Sequence, residues 1–400
     1  MSFRSDQGER GAQSSAPLIS IKHDLTGSML ESLSWLGLAN KWQRIRRKRF
    51  RDSLHGQGLA AWRMKLTSDA AGRALEAAIG RWAGNKADDV SLPAMSGSEA
   101  TKRASIIINS DNRVEELSQT LSALEGLGLD QEDELIVVLG PTDDGSVELV
   151  SDCSLTVRTL RCPERNLSLS RNIGLTEAAG EFVVYLDDDA SPQGDWMDQL
   201  LKPFGDPRVS VVAGHVWDGD GSRPLNRYVV ADVLGGCKDF ADAQSAEREI
   251  SHRSQQRAFL TATGCNMAIR RAPLMKLGGF DPHYIYFLEE TDVVYRLILD
   301  GANCAVAPDS VVNHRLAPNI VRDRGIATES MLTLLRSHLR FVGKFGRGVC
   351  EADRVEDSVW VRILGDLEKI CWSCATVAEA ASKQRSYLDS VVECLQELEG

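Results

Sequence analysis

The sequence predicts an α/β protein built on a mostly parallel sheet, flanked by helices and extended at both ends by helical segments. Three observations carry this reading. From Arg103 onward, short runs of β-formers such as Ser105-Ile106-Ile107-Ile108 and Leu135-Ile136-Val137-Val138-Leu139 alternate with segments of helical periodicity, the pattern of buried strands joined by crossover helices. The run Phe182-Val183-Val184-Tyr185 ends in Leu186-Asp187-Asp188-Asp189, as a buried strand does where its carboxyl end opens into a site. The chain of 400 residues is 43% hydrophobic, enough for a sizeable core in about two or three domains.

Taken in order, residues 1–100 differ in composition from the rest of the chain and are expected to form an N-terminal extension. Lys41, Arg44, Arg46, Arg47, Lys48, Arg49 and Arg51, interleaved with Trp42, Ile45 and Phe50 and uninterrupted by any acid, read as a basic amphipathic helix. Such a helix suits an anionic membrane surface or anionic partner, or docks its few apolar residues on the main domain. A second helical pattern lies around Ala60–Trp82, and Ser91–Ser98 reads as a linker.

Residues 101–320 are expected to be the catalytic domain. The first strand, Ser105–Ile108, leads to a helix marked by Val114, Leu117, Leu121 and Leu124; the second strand is Leu135–Leu139, and Leu155–Leu160 alternates as a half-exposed third. A helix from about Ser170 to Ala179 is expected to end on Gly180 as its cap. The strand carrying the aspartates comes fourth. Trp196–Phe204 predicts a short helix, Val209–Ala213 a strand, and Trp217–Ser254 a long irregular loop. Order returns at Gly264–Ile269; Gly278-Gly279-Phe280-Asp281 predicts a tight turn feeding a second acidic cluster, Glu289-Glu290-Thr291-Asp292, at the first turn of an amphipathic helix. Ala305–His314 predicts strand, turn and strand. Residues 321–400, with Met331, Leu334, Leu335, Leu339 and Phe341 at helical spacing, are expected to be a helical C-terminal region.

Composition narrows the function. A formal charge of -11, from 46 Lys+Arg against 57 Asp+Glu, argues against nucleic acid as a partner, which calls for a broadly basic face. No apolar run has the length of a membrane span and the opening residues lack an apolar signal core, so the expected compartment is the cytoplasm, with peripheral contact at the inner face of the membrane open through the basic helix. Nine scattered cysteines do not form a disulfide framework. Cys371 and Cys374 have redox or zinc spacing but lie in an apolar-periodic helical tail, and Asn166-Leu167-Ser168 fits a glycosylation acceptor only incidentally.

Three adjacent carboxylates repel one another. One of them keeps its proton, or a hard divalent cation, Mg2+ or Mn2+, lies among their oxygens and is shared with a phosphate, or the turn is simply solvated. Glu289, Glu290 and Asp292 have two readings as well: acids favoured by the helix dipole, or the group that takes a proton from an incoming nucleophile. His314 is a hydrogen-bonded core histidine or a nitrogen ligand. Arg322 and Arg324 suit phosphate oxygens or plain solvent exposure.

The order of Asn112-Arg113, Ser170-Arg171-Asn172-Ile173-Gly174, Leu186-Asp187-Asp188-Asp189, Gly278-Gly279-Phe280-Asp281, Glu289-Glu290-Thr291-Asp292 with Arg296, and His314 resembles the family 2 glycosyltransferases over about residues 103–318. The resemblance implies a GT-A fold, an inverting mechanism, a nucleotide-diphosphate sugar donor, a glycan or lipid-linked acceptor, and Mg2+ or Mn2+. Asp187 and Asp189 match the outer positions of the family's DxD motif, for donor and metal, with Asp188 the variable middle position. His314 matches a histidine that completes the metal site in some members. Glu290 matches the catalytic base, Asp292 the acid two residues later, with Glu289 beside them. Asn112, Arg113, Asp144 and Arg171, with Asp187 and Asp188, are expected on the donor side, and Arg322 and Arg324 on its phosphates. Two departures stand out: Leu139-Gly140-Pro141-Thr142 precedes Asp143 and Asp144 where acids commonly follow the second strand directly, and glutamate stands at the base position where aspartate is common. The alternative reading is a non-catalytic nucleotide-sugar or glycan-binding scaffold. A nucleotidylyltransferase would be expected to open with a glycine-rich loop, and Asn109–Arg113 contains no glycine.

Overall fold

The structure, a computed structural model, describes residues 70–88, 91–315, 328–373 and 377–398, with a few positions between 59 and 67. The basic segment Lys41–Arg51, Arg322 and Arg324, and the Cys371/Cys374 pair lie outside the described residues or side chains. In chain order the elements are α1 (Ala70–Gly84), β1 (Lys102–Ser110), α2 (Val114–Leu127), β2 (Asp133–Leu139), α3 (Ser146–Asp152), β3 (Val157–Arg161), α4 (Leu167–Glu177), β4 (Gly180–Asp187), β5 (Ala190–Pro192), α5 (Trp196–Leu201), β6 (Val209–Asp218), β7 (Pro224–Asn226), β8 (Tyr228–Ala231), β9 (Cys237–Phe240), α6 (Ala243–His252), β10 (Phe259–Thr261), β11 (Met267–Arg270), α7 (Arg271–Lys276), α8 (Glu289–Leu299), β12 (Asn303–His314), α9 (Thr328–Phe345), α10 (Ala352–Ser373) and α11 (Val377–Glu397).

The main sheet runs β3-β2-β1-β4-β11-β6-β12-β5, with β7 paired to β6. Strands β3, β2, β1 and β4 are parallel, β11 is antiparallel between β4 and β6, and β5 is antiparallel at the far edge. Alternation sends Ile106, Ile108, Val137, Val184 and Leu186 to one face, against Leu117 and Leu121 of α2 and Trp196 of α5. Ile107, Ile136, Val138, Val183 and Tyr185 go to the other, against α4, α7, α8 and the aromatic end of α9. Burial of both faces explains why these strands read as unbroken apolar runs.

Several local expectations change. Helix α4 starts three residues early because Asn166 caps it, its side chain accepting from Leu169 N at 3.0 Å. Gly180 opens β4 rather than capping the helix; a Cβ there would run into the backbone of Ala104 and Ser105. The stretch from Trp217 is not one irregular loop: it holds β7, β8, β9 and α6, and β8 forms with β9 and β10 a small antiparallel sheet. Pro308 and Asp309 do not turn the chain back. They occupy a bulge within the single strand β12, where the register against β6 shifts between Ala307 and Val311.

A third core joins the ends of the chain. Leu75, Ile79 and Trp82 of α1 pack with Met331, Leu335 and Leu339 of α9, Trp360 and Ile363 of α10, and Tyr387 and Val391 of α11. Helix α9 therefore has two apolar faces in use, one on this helical cluster and one, through Phe341 and Phe345, on the main core. No described helix is long and apolar enough to cross a membrane.

Candidate active site

The carboxyl ends of β1, β2 and β4 meet at one crevice, and its floor is stitched from loop to loop. Asn112 takes the left-handed conformation (φ 53°), which asparagine tolerates better than most residues. Its Oδ1 accepts from Asp143 N at 2.9 Å and Thr142 Oγ at 3.1 Å. Asp144 reaches back to accept from Val114 N at 2.7 Å, and also from Ser146 N and from the Thr142 and Ser146 hydroxyls. Burial works against its charge, but these hydrogen bonds outweigh it and hold the carboxyl down at about 2. Asn112 and Asp144, expected on the donor, thus spend their side chains joining the first two βα loops.

At the end of β4 the three aspartates have different fates. Asp188 is buried and takes an ion pair from Arg113 Nε at 3.0 Å; burial still pushes its carboxyl up to about 7, against the pull of Arg113. Asp189 is buried too, but Arg113 Nη2 lies 2.7 Å from its Oδ2 and His314 Nε2 2.7 Å from its Oδ1. Burial opposes the charge, and these two partners hold the carboxyl well below the usual range. Asp187 keeps a partly exposed carboxylate, pushed up by burial and drawn down by His314 and Arg171.

His314 arrives here because β12 pairs with β5: its backbone lies opposite Ala190, directly after the aspartates. Arg315 N then donates to Asp189 O at 3.0 Å, and the Arg315 guanidinium ties Ser191 to Thr120 of α2. Ligand atoms of Asp187, Asp189 and His314 lie within 4.8 Å of one another. Two carboxylates and an imidazole form a donor set that suits Mn2+ and also accepts Mg2+.

The second acidic cluster opens α8 and divides in a different way. Glu289 is buried against Arg171, with Arg171 Nη1 2.9 Å from its Oε1, and the Arg171 guanidinium lies over the Tyr185 and Phe280 rings at 5.6 and 5.3 Å. Arg171, expected to grip the donor, is buried in this pair instead. Asp292, expected beside the base, sits on the opposite side of the helix: Arg296 Nε is 2.6 Å away and the buried Lys344 Nζ bonds its other oxygen. Its charge is fully engaged there, away from the crevice. Glu290 lies between them, and no cation among the described residues forms an ion pair with it. Its Oε2 is buried and makes no hydrogen bond to any described residue. Burial, then the charge of Glu289, pushes its carboxyl up to about 8, with Arg171 pulling the other way.

Lys344, Arg340 and Arg315 stand around these clusters and are not singled out by sequence reasoning, whereas Asp281 is, through its place in the Gly278-Gly279-Phe280-Asp281 turn. The signal for Lys344 is faint but present: it falls three residues after Phe341 and beside Phe345, a lysine among the core-facing positions of an amphipathic helix.

The described residues thus combine a mixed sheet, an acidic cluster completed by a histidine at its strand ends, and a carboxylate oxygen without a hydrogen-bond partner at a neighbouring helix start. Residues 105–278 match the family described as Glycosyl transferase family 2. Pre-mycofactocin glycosyltransferase of Mycobacterium tuberculosis is 27% identical over 216 residues, covering 52% of this chain and 42% of that protein. Succinoglycan biosynthesis protein ExoM of Rhizobium meliloti is 30% identical over 107 residues, 25% of this chain and 35% of that one. The matches thus span less than half the length of these curated relatives. Among solved structures, a mannosyltransferase from Pyrobaculum calidifontis in complex with GDP-Man and Mn2+ aligns over 84% of this chain and 97% of its own, at 15% identity and a TM-score of 0.42.

Proposed function

We propose that the chain is an inverting glycosyltransferase that moves a sugar from a nucleotide-diphosphate donor to a hydroxyl of a glycan or lipid-linked acceptor. The observation that carries this is the division of labour between the clusters: Asp187, Asp189 and His314 converge as ligands, while Glu290 presents a carboxylate with a raised pKa and no ion pair among the described residues. Asp187, Asp189 and His314 are the residues that would hold Mg2+ or Mn2+. When bound, the cation supplies charge neutralisation to the leaving diphosphate.

The protein's own part is proton transfer and placement. Glu290, raised toward neutrality by burial and by Glu289, is basic enough to take the acceptor hydroxyl proton. Arg171 holds Glu289 in place beside Glu290 through their 2.9 Å ion pair. Arg113 and the β12–β5 pairing hold Asp189 and His314 in register.

The test is a thermal-shift panel of nucleoside diphosphates with and without Mn2+, then turnover of the matching nucleotide sugars. A ligand at a hundredfold excess over its Kd stabilises the folded state by about 2.7 kcal/mol. The expected result is a shift for one base that needs Mn2+ and disappears in Asp189→Asn. Failure of every diphosphate to shift the wild-type protein, with no turnover of any donor, would sink the proposal.

A further inference from the structure

The segment from Phe280 to Leu288, which delivers Glu290 to the crevice, has almost no regular structure, yet most of its carbonyls are taken. From α4 and its cap, Asn172 Nδ2 donates to Phe280 O at 2.7 Å, Asn166 Nδ2 to Pro282 O at 2.8 Å, Ser168 Oγ to Tyr284 O at 2.6 Å and Leu167 N to Ile285 O at 3.0 Å. The opposite side is held by α9. Ser337 Oγ donates to Tyr286 O at 2.9 Å, Arg340 Nε donates to Asp281 Oδ2 at 2.7 Å, and Lys344 Nζ lies 3.2 Å from the same oxygen while also bonding Asp292. Between these anchors Phe287 and Leu288 both sit in the left-handed region, at φ 79° and 68°. Side chains are disfavoured there and persist only where the surroundings over-determine them.

We infer that helix α9 belongs to the catalytic machinery: Ser337, Arg340 and Lys344 are positioning residues that clasp the strap 281–288 and thereby fix where Glu290 stands. This rests on the reading of Glu290 as the base. The contacts fall on both sides of the strained pair, at Asp281 and Tyr286 before it and at Asp292 after it. Docking of α9 as such does not call for them, because Phe341 and Phe345 already bury its end in the main core. A lysine between two buried carboxylates is a costly way to add adhesion, since desolvation offsets much of the attraction. What it provides is a fixed distance between strap and helix. A base displaced by about 1 Å loses on the order of a hundredfold in rate, so such a clasp has a kinetic consequence.

The test uses the full chain. Arg340→Gln leaves Asp281 bonded to Lys344 and to His283 N, so no buried charge is stranded, and Ser337→Ala removes a single neutral bond. In Arg340→Gln, kcat for the donor found in the panel is expected to fall about tenfold with KM and nucleoside-diphosphate affinity unchanged, and Arg340→Lys is expected to recover most of it. Amide hydrogen exchange is expected to rise in peptides spanning 281–292 and nowhere else. Ser337→Ala is expected to show the same pattern more weakly. Wild-type exchange and turnover in both variants would overturn the inference, as would a parallel loss of turnover and nucleotide affinity, which marks general damage. Glu290→Gln separates the two readings: full turnover in that variant removes the base, while the exchange of 281–292 still decides whether α9 fixes the strap.

Discussion

Two clusters of three acids, one at the end of β4 and one at the start of α8, differ in how cations are distributed among them. At the end of β4, Arg113 bridges Asp188 and Asp189, and His314 takes the remaining oxygen of Asp189. Every member of that cluster is within reach of a positive or protonatable group. At the start of α8 the cations go to the outer acids, Arg171 to Glu289 and Lys344 with Arg296 to Asp292, and the middle one has no ion pair among the described residues. The consequence is opposite pKa shifts, Asp189 held down and Glu290 pushed up. Acids separated in this way are matched to different tasks, ligation at one end and proton transfer at the other.

The sharpest way to break this comparison is to neutralise Glu290, the acid of these clusters with no ion pair among the described residues. Glu290→Gln preserves shape and removes the proton acceptor, so kcat is expected to fall by about a thousandfold, within the range for a general base. Mn2+-dependent affinity for the nucleoside diphosphate is expected to stay within about twofold. Steady-state kinetics with calorimetric binding checks both; equal losses in the two would mean that Glu290 belongs to the donor site, and the contrast between clusters would collapse.

Asp292 offers the complementary test, because it shares a motif with Glu290 and shares none of its surroundings. Asp292→Asn leaves Lys344 and Arg296 short of a countercharge in a buried place, and breaking such a pair typically costs about 3–5 kcal/mol. Denaturant unfolding is expected to report a loss of that order, while the donor-site affinity of the folded fraction is unchanged. A stable variant with impaired metal or nucleotide binding would return Asp292 to the crevice.

These partners also mark the limit of what can be read from the chain. The first four strands are legible because burial on both faces leaves unbroken apolar runs, and the aspartates are legible because three adjacent charges after such a run are rarely neutral to function. The placement of Asp187, Asp189 and His314 together needs one further fact, the antiparallel pairing of β12 with the three-residue β5, which no pattern in Ala190-Ser191-Pro192 announces. Sequence reasoning misplaces Asp292 because its partner Lys344 lies 52 residues away on another helix. It misplaces Arg171 for the same reason, the partner there lying 118 residues away. Likewise α1 gives a helical signal, but nothing local says that Trp82 shares a core with Trp360 and Tyr387. Periodicity reports which face is buried; it does not report against what.

The smallest expected effect is also the one that reads both clusters at once, through stability against pH. Glu290 holds its proton more tightly folded than unfolded. Its contribution is therefore complete below the ordinary glutamate value of about 4.3 and is lost as pH rises through a folded value of about 8. Asp189 has the opposite sign: held below the ordinary range by His314 and Arg113, it contributes above about 3.9 and that contribution is lost as pH falls through its folded value. Raised groups that neither carboxylate touches are common to wild type and variant and cancel in a difference, whereas Asp187 and Asp188 feel the charge of Asp189 and shift with it. With metal removed by EDTA, the thermal midpoint of Glu290→Gln is thus expected to match wild type at about pH 4 and to exceed it by a margin that grows up to about pH 8, as the unfolded chain gives up a proton that the folded Glu290 keeps. Asp189→Asn is expected to fall furthest below wild type near neutrality and to approach it again in acid. A constant gap across this range in both variants would mean that neither carboxylate is shifted, and the electrostatic division between the clusters would have to be abandoned.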